Sequence, residues 1–145
     1  MVHRRGEEGA EDLDRLTSRV IGGAITVHRE LGPGLLESAY ESCLARELRL
    51  CGLFVEREVP LPVRYRGEIL DCGYRLDLLV DRVLIVEVKC VDRIHPIHTA
   101  RILTYLRLSK LTVGLLLNFN VPVLRTGIHR VVNGFGTSAP SSPPR

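Results

Sequence analysis

Asp77, Glu87 and Lys89 stand in the order D-x9-E-x-K. Glu87 and Lys89 lie two apart in Val83-Leu84-Ile85-Val86-Glu87-Val88-Lys89, a run apolar enough to be a central strand. Both therefore project from one face, in register with Ile85 and Val83. An unpaired buried charge of either sign is costly, so the pair calls for compensation. A mutual salt bridge at a solvated strand end is the plain alternative. Asp77 shifts the balance, because a hairpin at Asp81-Arg82 brings it beside Glu87 at similar height. Two carboxylates and a main-chain carbonyl suit a hard cation such as Mg²⁺ or Mn²⁺. Lys89 then lies by a water or a phosphate oxygen, where an ammonium helps deprotonate the one or neutralises charge on the other. Of the 20 basic side chains only Lys89 and Lys110 are lysine, so a lysine in this strand points to a requirement for an ammonium.

Gly34, Glu37 and Tyr40 are spaced by three and spread over about 120° of one helix face. Glu37 falls in the first turn, where the helix dipole alone accounts for an acid. His98, Arg101 and Tyr105 share a face of a later helix. His95 and His98 have no third or fourth ligand nearby, and Cys43, Cys51, Cys72 and Cys90 contain no C-x-x-C pair. The two histidines thus read as a helix start or a phosphate contact rather than a zinc site. Arg75, Arg93, Arg101 and Arg107 suffice for phosphate contacts but not for reading bases. With three Phe, four Tyr and no Trp, an extended stacking platform for single strands is not expected.

Periodicity along the chain sets these residues on regular helices and strands. Leu13, Leu16, Val20, Ala24, Val27 and Leu31 form one helical stripe, which Gly32-Pro33-Gly34 ends. A second helix is predicted from Leu35 to Cys51, with Leu36, Tyr40, Leu44 and Leu48 on one side. Phe54-Val55 and Pro60 to Tyr65 read as extended, Arg66-Gly67 as a turn, and Ile69 to Val80 as a strand. A third helix runs from His95-Pro96 to Ser109, followed by strands over Val113 to Asn118 and Gly127 to Val132. This order predicts an α/β (α+β) fold with a mixed central sheet flanked by helices. Residues 12–133 form the expected single domain, between a flexible N-terminal tail (1–11) and a disordered C-terminal tail (134–145).

The 145 residues make one domain, and 45% hydrophobic content with a net charge of +3 excludes disorder throughout. No apolar run is long enough to span a membrane, and the charged N-terminal stretch lacks the apolar region of a secretory signal. A cytoplasmic domain is expected, with the four cysteines as small buried apolar residues. A pI near 8.8 is too mild to indicate nucleic-acid binding by itself.

The segments ELGPGLLESAY, YRLDLLVDRVLIVEVK and LTYLRLSKLTVGLLLNFNVPVLRTGIHRVV together resemble the GxxExxY family of small bacterial and archaeal proteins, placed in the PD-(D/E)XK nuclease superfamily. The likeness runs from about Leu16 to Val132. It implies a restriction-endonuclease-like core in which Glu37, Asp77, Glu87 and Lys89 converge. Asp77 and Glu87 would be the main ligands of Mg²⁺ or Mn²⁺, Glu37 would complete the metal shell, and Lys89 would be the catalytic lysine. The implied activity is hydrolysis of nucleic acid. DNA is expected ahead of RNA, with Arg75, Arg93, His98, Arg101 and Tyr105 as the nucleic-acid-binding residues. In one respect the chain departs from the family, since Arg101 stands where a Gln usually precedes the retained Tyr105. Arg101 either binds a substrate phosphate or repels the metal and marks a weakened site, and the residues leave both open. The alternative function is a non-catalytic nucleic-acid-binding or assembly module on the same fold. No membrane association is expected, and a homodimer or a protein partner is compatible with so small a domain.

Overall fold

The computed structural model describes residues 2–134, with side chains from residue 9 onward. Helix α1 (Val2–Leu31) buries Leu16, Val20, Ala24 and Val27 along its stripe. It reaches further back than the stripe predicts, so residues 2–11, expected as a tail, have helical backbone. Extending a helix that packing has already nucleated costs little per residue, even without apolar anchors. Of the expected C-terminal tail, residues 135–145 lie outside the described residues. Helix α2 (Glu37–Leu50) buries Tyr40, Leu44 and Leu48 against α1. Leu36, expected on that stripe, is instead the residue preceding the helix and is 76% exposed.

Among the described residues, seven strands follow: β1 (Val55–Pro60), β2 (Val63–Tyr65), β3 (Glu68–Leu70), β4 (Arg75–Val80), β5 (Leu84–Lys89), β6 (Val113–Asn118) and β7 (Ile128–Val132). Helix α3 (Pro96–Ser109) connects β5 to β6. Five strands form one sheet in the order β1-β4-β5-β6-β7, and β2 and β3 pair separately as a ribbon. The sheet is mixed, with β5 central, antiparallel to β4 and parallel to β6. The predicted strand from Ile69 to Val80 is broken. Asp71 accepts the Gly73 N–H at 3.0 Å and Gly73 takes φ +83°, so the chain turns there and β3 leaves the main sheet.

Alternation along the central strands divides the interior into two cores. Leu84, Val86, Val88, Val113, Leu115 and Leu117 pack with α1 and α2, whereas Ile85 packs with Ile102, Tyr105 and Leu106 of α3. Helix α3 sits so close that a Cβ on Gly114 would come within 2.8 Å of Ile102. The cysteines depart from expectation: Cys43, Cys51 and Cys72 are exposed and Cys90 is half-buried. Cys43 falls on the outer side of α2 and Cys72 in the turn at Asp71, because the larger Leu and Val side chains fill the core. Among the described residues, no helix is long and apolar enough to cross a membrane.

Candidate active site

The β4–β5 hairpin carries the centre of the site. Its turn places Asp81 at φ +50° and Arg82 at φ +62°, with the Val83 N–H on the Val80 carbonyl at 3.1 Å. A turn with both central residues at positive φ follows the natural twist of the strands it joins. Leu84, Ile85 and Val86 then pair with Val80, Leu79 and Leu78. Beyond Leu78 the pattern changes. Asp77 N–H donates to Glu87 Oε2 at 3.1 Å, and Val88 N–H donates to Asp77 Oδ2 at 2.8 Å. Each carboxylate thus takes a main-chain donor of the facing strand.

The other edge of β4 is also interrupted. Arg57 pairs with Leu78 and Val59 with Leu76, but Glu58 between them is unpaired and lies at φ +51°. A non-glycine residue in this conformation within a strand stores strain, a feature that clusters at functional sites. Its carboxylate meets those of Glu41 and Asp77, with ligand oxygens all within 4.8 Å of one another. Sequence reasoning missed both Glu41 and Glu58. Glu41 had a signal, since it follows Glu37 by four residues and so shares its helix face. Glu58 had none, because its place depends on the β1–β4 pairing.

Glu37 is the first residue of α2, and its Oε2 accepts the N–H of Cys90, directly after Lys89. Lys89 is half-buried at the end of β5, and its carbonyl accepts the Phe119 N–H at 2.9 Å. Asn118 holds the next turn of chain, accepting from Val91 N–H and donating to the Val91 carbonyl. Arg57 donates to Glu41 at 3.4 Å and to Ser42 at 3.0 Å.

Burial and crowding of negative charge shape the titration of this cluster. Glu87, only 6% exposed, is pushed up to about 8 by burial and by Asp77, against the pull of the Asp77 N–H and Lys89. Glu41 rises to about 7 through burial, its hydrogen bond with Glu58 and the charges of Asp77 and Glu58. Asp77 is raised by burial, opposed by the Val88 N–H and the charge of Lys89. Carboxylates this close repel one another as anions, and their oxygens are the donors a hard divalent cation takes. Glu41, Glu58 and Asp77 therefore make a donor set compatible with a divalent cation. Neither His95 nor His98 belongs to this cluster.

Helix α3 closes the other side. His98 Nδ1 accepts the His95 N–H at 2.9 Å, which ties HPIH into the start of the helix. Tyr105 is buried with its ring 6.0 Å from that of Tyr74. Burial and the charge of Glu87 raise its hydroxyl, which the positive charge of Arg101 lowers. Burial and the cations Lys89, His95 and Arg101 hold the His98 imidazole below its ordinary range. Arg101 is exposed on this face. Arg75 is turned elsewhere, donating to the Tyr74 carbonyl at 2.9 Å and pairing with Asp71 at 3.6 Å. Arg93 is exposed in the loop before α3.

A five-stranded mixed sheet between helices, with an acidic cluster and a lysine at the end of its central strand, matches the general plan of one nuclease class. A family model for the PD-(D/E)XK nuclease superfamily matches residues 14–131, and the chain belongs to that superfamily. No curated protein and no solved structure matches the chain.

Proposed function

We propose that the protein is a Mg²⁺- or Mn²⁺-dependent nuclease that hydrolyses phosphodiester bonds, with DNA ahead of RNA as substrate. Residues 12–133 would be the working domain. Within the superfamily we assign it to the GxxExxY group, on the signature Gly34, Glu37 and Tyr40. The observation that carries the reading is the interrupted pairing at Asp77 and Glu87, with Lys89 two residues further along the same face. Asp77 and Glu87 are the principal oxygen donors for the cation. Glu37 is the helix-borne acid at the end of the same strand, and Glu41 and Glu58 are the further carboxylates around Asp77. When bound, the cation supplies Lewis-acid stabilisation of charge on the scissile phosphate. Glu87 is oriented by the Asp77 N–H on its Oε2. Lys89 Nζ donates to a phosphate oxygen or to the attacking water, and Arg101, Tyr105 and His98 face the substrate from α3. Arg75 and Arg93 supply outer phosphate contacts, which for Arg75 requires release from Asp71.

Cleavage of a panel of labelled single- and double-stranded DNA and RNA tests this reading. Wild type should cleave with Mg²⁺ or Mn²⁺ and not with EDTA, and Lys89→Ala should be inactive while keeping its thermal midpoint. Metal-dependent cleavage intact in Glu87→Ala would overturn it. The position of Arg101, a fixed cation beside Tyr105 and His98, favours a second reading as a non-catalytic binding module. Cleavage by Arg101→Gln but not by wild type would favour that reading.

A further inference from the structure

The main sheet and its helices account for nearly every element, but not for the β2–β3 ribbon. Its two-residue turn at Arg66-Gly67, with both residues at positive φ, makes a well-formed hairpin. It contributes no residue to either core, and Tyr65 and Ile69 are 60% and 62% exposed. A lone two-stranded hairpin is marginal in water, so burial does not explain it.

Between the ribbon and the C-terminal half of α3 lies a cleft of about 410 Å³, lined by Pro62, Arg64, Ile69, Arg107, Leu108 and Lys110. Among the described residues, three cations from two separate elements line it and no acid does. All three are exposed, and none has an ion pair among the described residues. Leu108 also borders the neighbouring cleft that holds Tyr74, Arg101 and Tyr105. The Tyr105 hydroxyl feels the charges of Glu87 and Asp77, so the basic cleft lies one cleft away from the group nearest the acidic cluster. Lys110 sits just past α3 at φ +63°, where glycine or asparagine is usual. A cation is thus kept there despite a backbone cost. The dipole of α3 would account for Arg107 and Lys110 but not for Arg64, which comes from the ribbon.

We propose that this cleft holds the phosphodiester backbone of the substrate on one side of the cut, with Arg64, Arg107 and Lys110 each facing a phosphate. The assignment rests on the nuclease reading and adds to it where the uncut part of the strand lies. At about 1.5 Å per residue, Arg101 and Lys110 are roughly 13 Å apart along α3, or about four nucleotides at ~3.4 Å per step. Contacts of this kind set register and affinity without reading sequence.

The test is fluorescence anisotropy with a short fluorescein-labelled DNA duplex in Mg²⁺ across a salt series. Lys89→Ala serves as parent, so that the probe is not cut. Three substitutions are added to it: Arg64→Ala, Arg107→Ala and Lys110→Gly, the last suited to the positive φ. This variant should bind at least about tenfold more weakly, and its plot of log affinity against log salt should be shallower by roughly two to three, near 0.9 for each phosphate no longer neutralised. A charge-matched control, Arg29→Ala, Arg46→Ala and Arg125→Ala on the same parent, should stay within about twofold. The single change Arg64→Ala, on the exposed ribbon and outside both cores, should flatten the slope by about one and guards against misfolding of the triple variant. Unchanged binding in the cleft variants, or an equal loss in the control, would overturn the inference, while cleavage by wild type would leave the nuclease reading standing. If the parent does not bind and wild type does not cleave, both fall together.

Discussion

The two ends of the β4–β5 hairpin are built from the same strands and do opposite things. At the turn end, Leu78, Leu79 and Val80 pair with Val86, Ile85 and Leu84, and the main chain satisfies itself. Five of those six side chains are buried and apolar, and Leu79 is partly buried against the α3 core. At the open end the carboxylates of Asp77 and Glu87 take main-chain donors from across the gap. Backbone polar groups must be paired when buried, so an interrupted ladder needs side-chain acceptors. Here those acceptors are also the groups that suit a cation. One hairpin therefore supplies both the rigidity of the sheet and, where its pairing stops, the proposed chemistry.

Substitutions at the two ends should have opposite consequences. Asp77→Asn or Lys89→Ala should lower cleavage on the order of a thousandfold, measured on a labelled duplex with Mg²⁺. Arg82→Ala in the turn should leave cleavage within about twofold, because its contact with Glu56 is a surface pair. Next in size, Leu78→Ala should cost about 2–5 kcal/mol of stability by emptying a fully buried position. Urea unfolding would measure it, and the activity of the protein still folded should not change.

The open end should also be recognisable by its pH dependence. Glu87 and Glu41 titrate near 8 and 7 in the folded protein, against an ordinary value of 4.5. Between those limits the folded state holds protons that the unfolded chain has shed, so stability is greatest at the acid side and falls as pH rises. The thermal midpoint of the metal-free protein should drop by several degrees from pH 5 to pH 8, and Glu87→Gln should flatten the decline. Mn²⁺ should raise the midpoint most at pH 8, where the carboxylates are free to bind it. The smallest effect is expected at the turn. Arg82→Gly relieves a positive φ but adds freedom to the unfolded chain, for a net gain below about 1 kcal/mol. Cleavage should be untouched.

Asp77, Glu87 and Lys89 were legible in the sequence because what relates them is local. Period-two alternation puts Glu87 and Lys89 on one face, and a tight turn at Asp81-Arg82 sets Asp77 opposite Glu87 by counting alone. The helical stripe of α1 and the buried run of β6 were legible for the same reason, since burial imprints its period on the residue types.

The rest of the cluster depends on contacts between distant segments. Glu58 reaches Asp77 because β1 pairs with β4 on both sides of it while its own backbone turns to positive φ. Glu41 enters because α2, which carries it, packs against β1 and β4. Asp71 ends a strand that hydrophobicity alone would continue, and so releases the ribbon that borders α3. Periodicity along a chain reports which face of an element is buried. Which elements face each other is settled by packing between segments far apart in sequence, and in this protein that packing completes the acidic cluster.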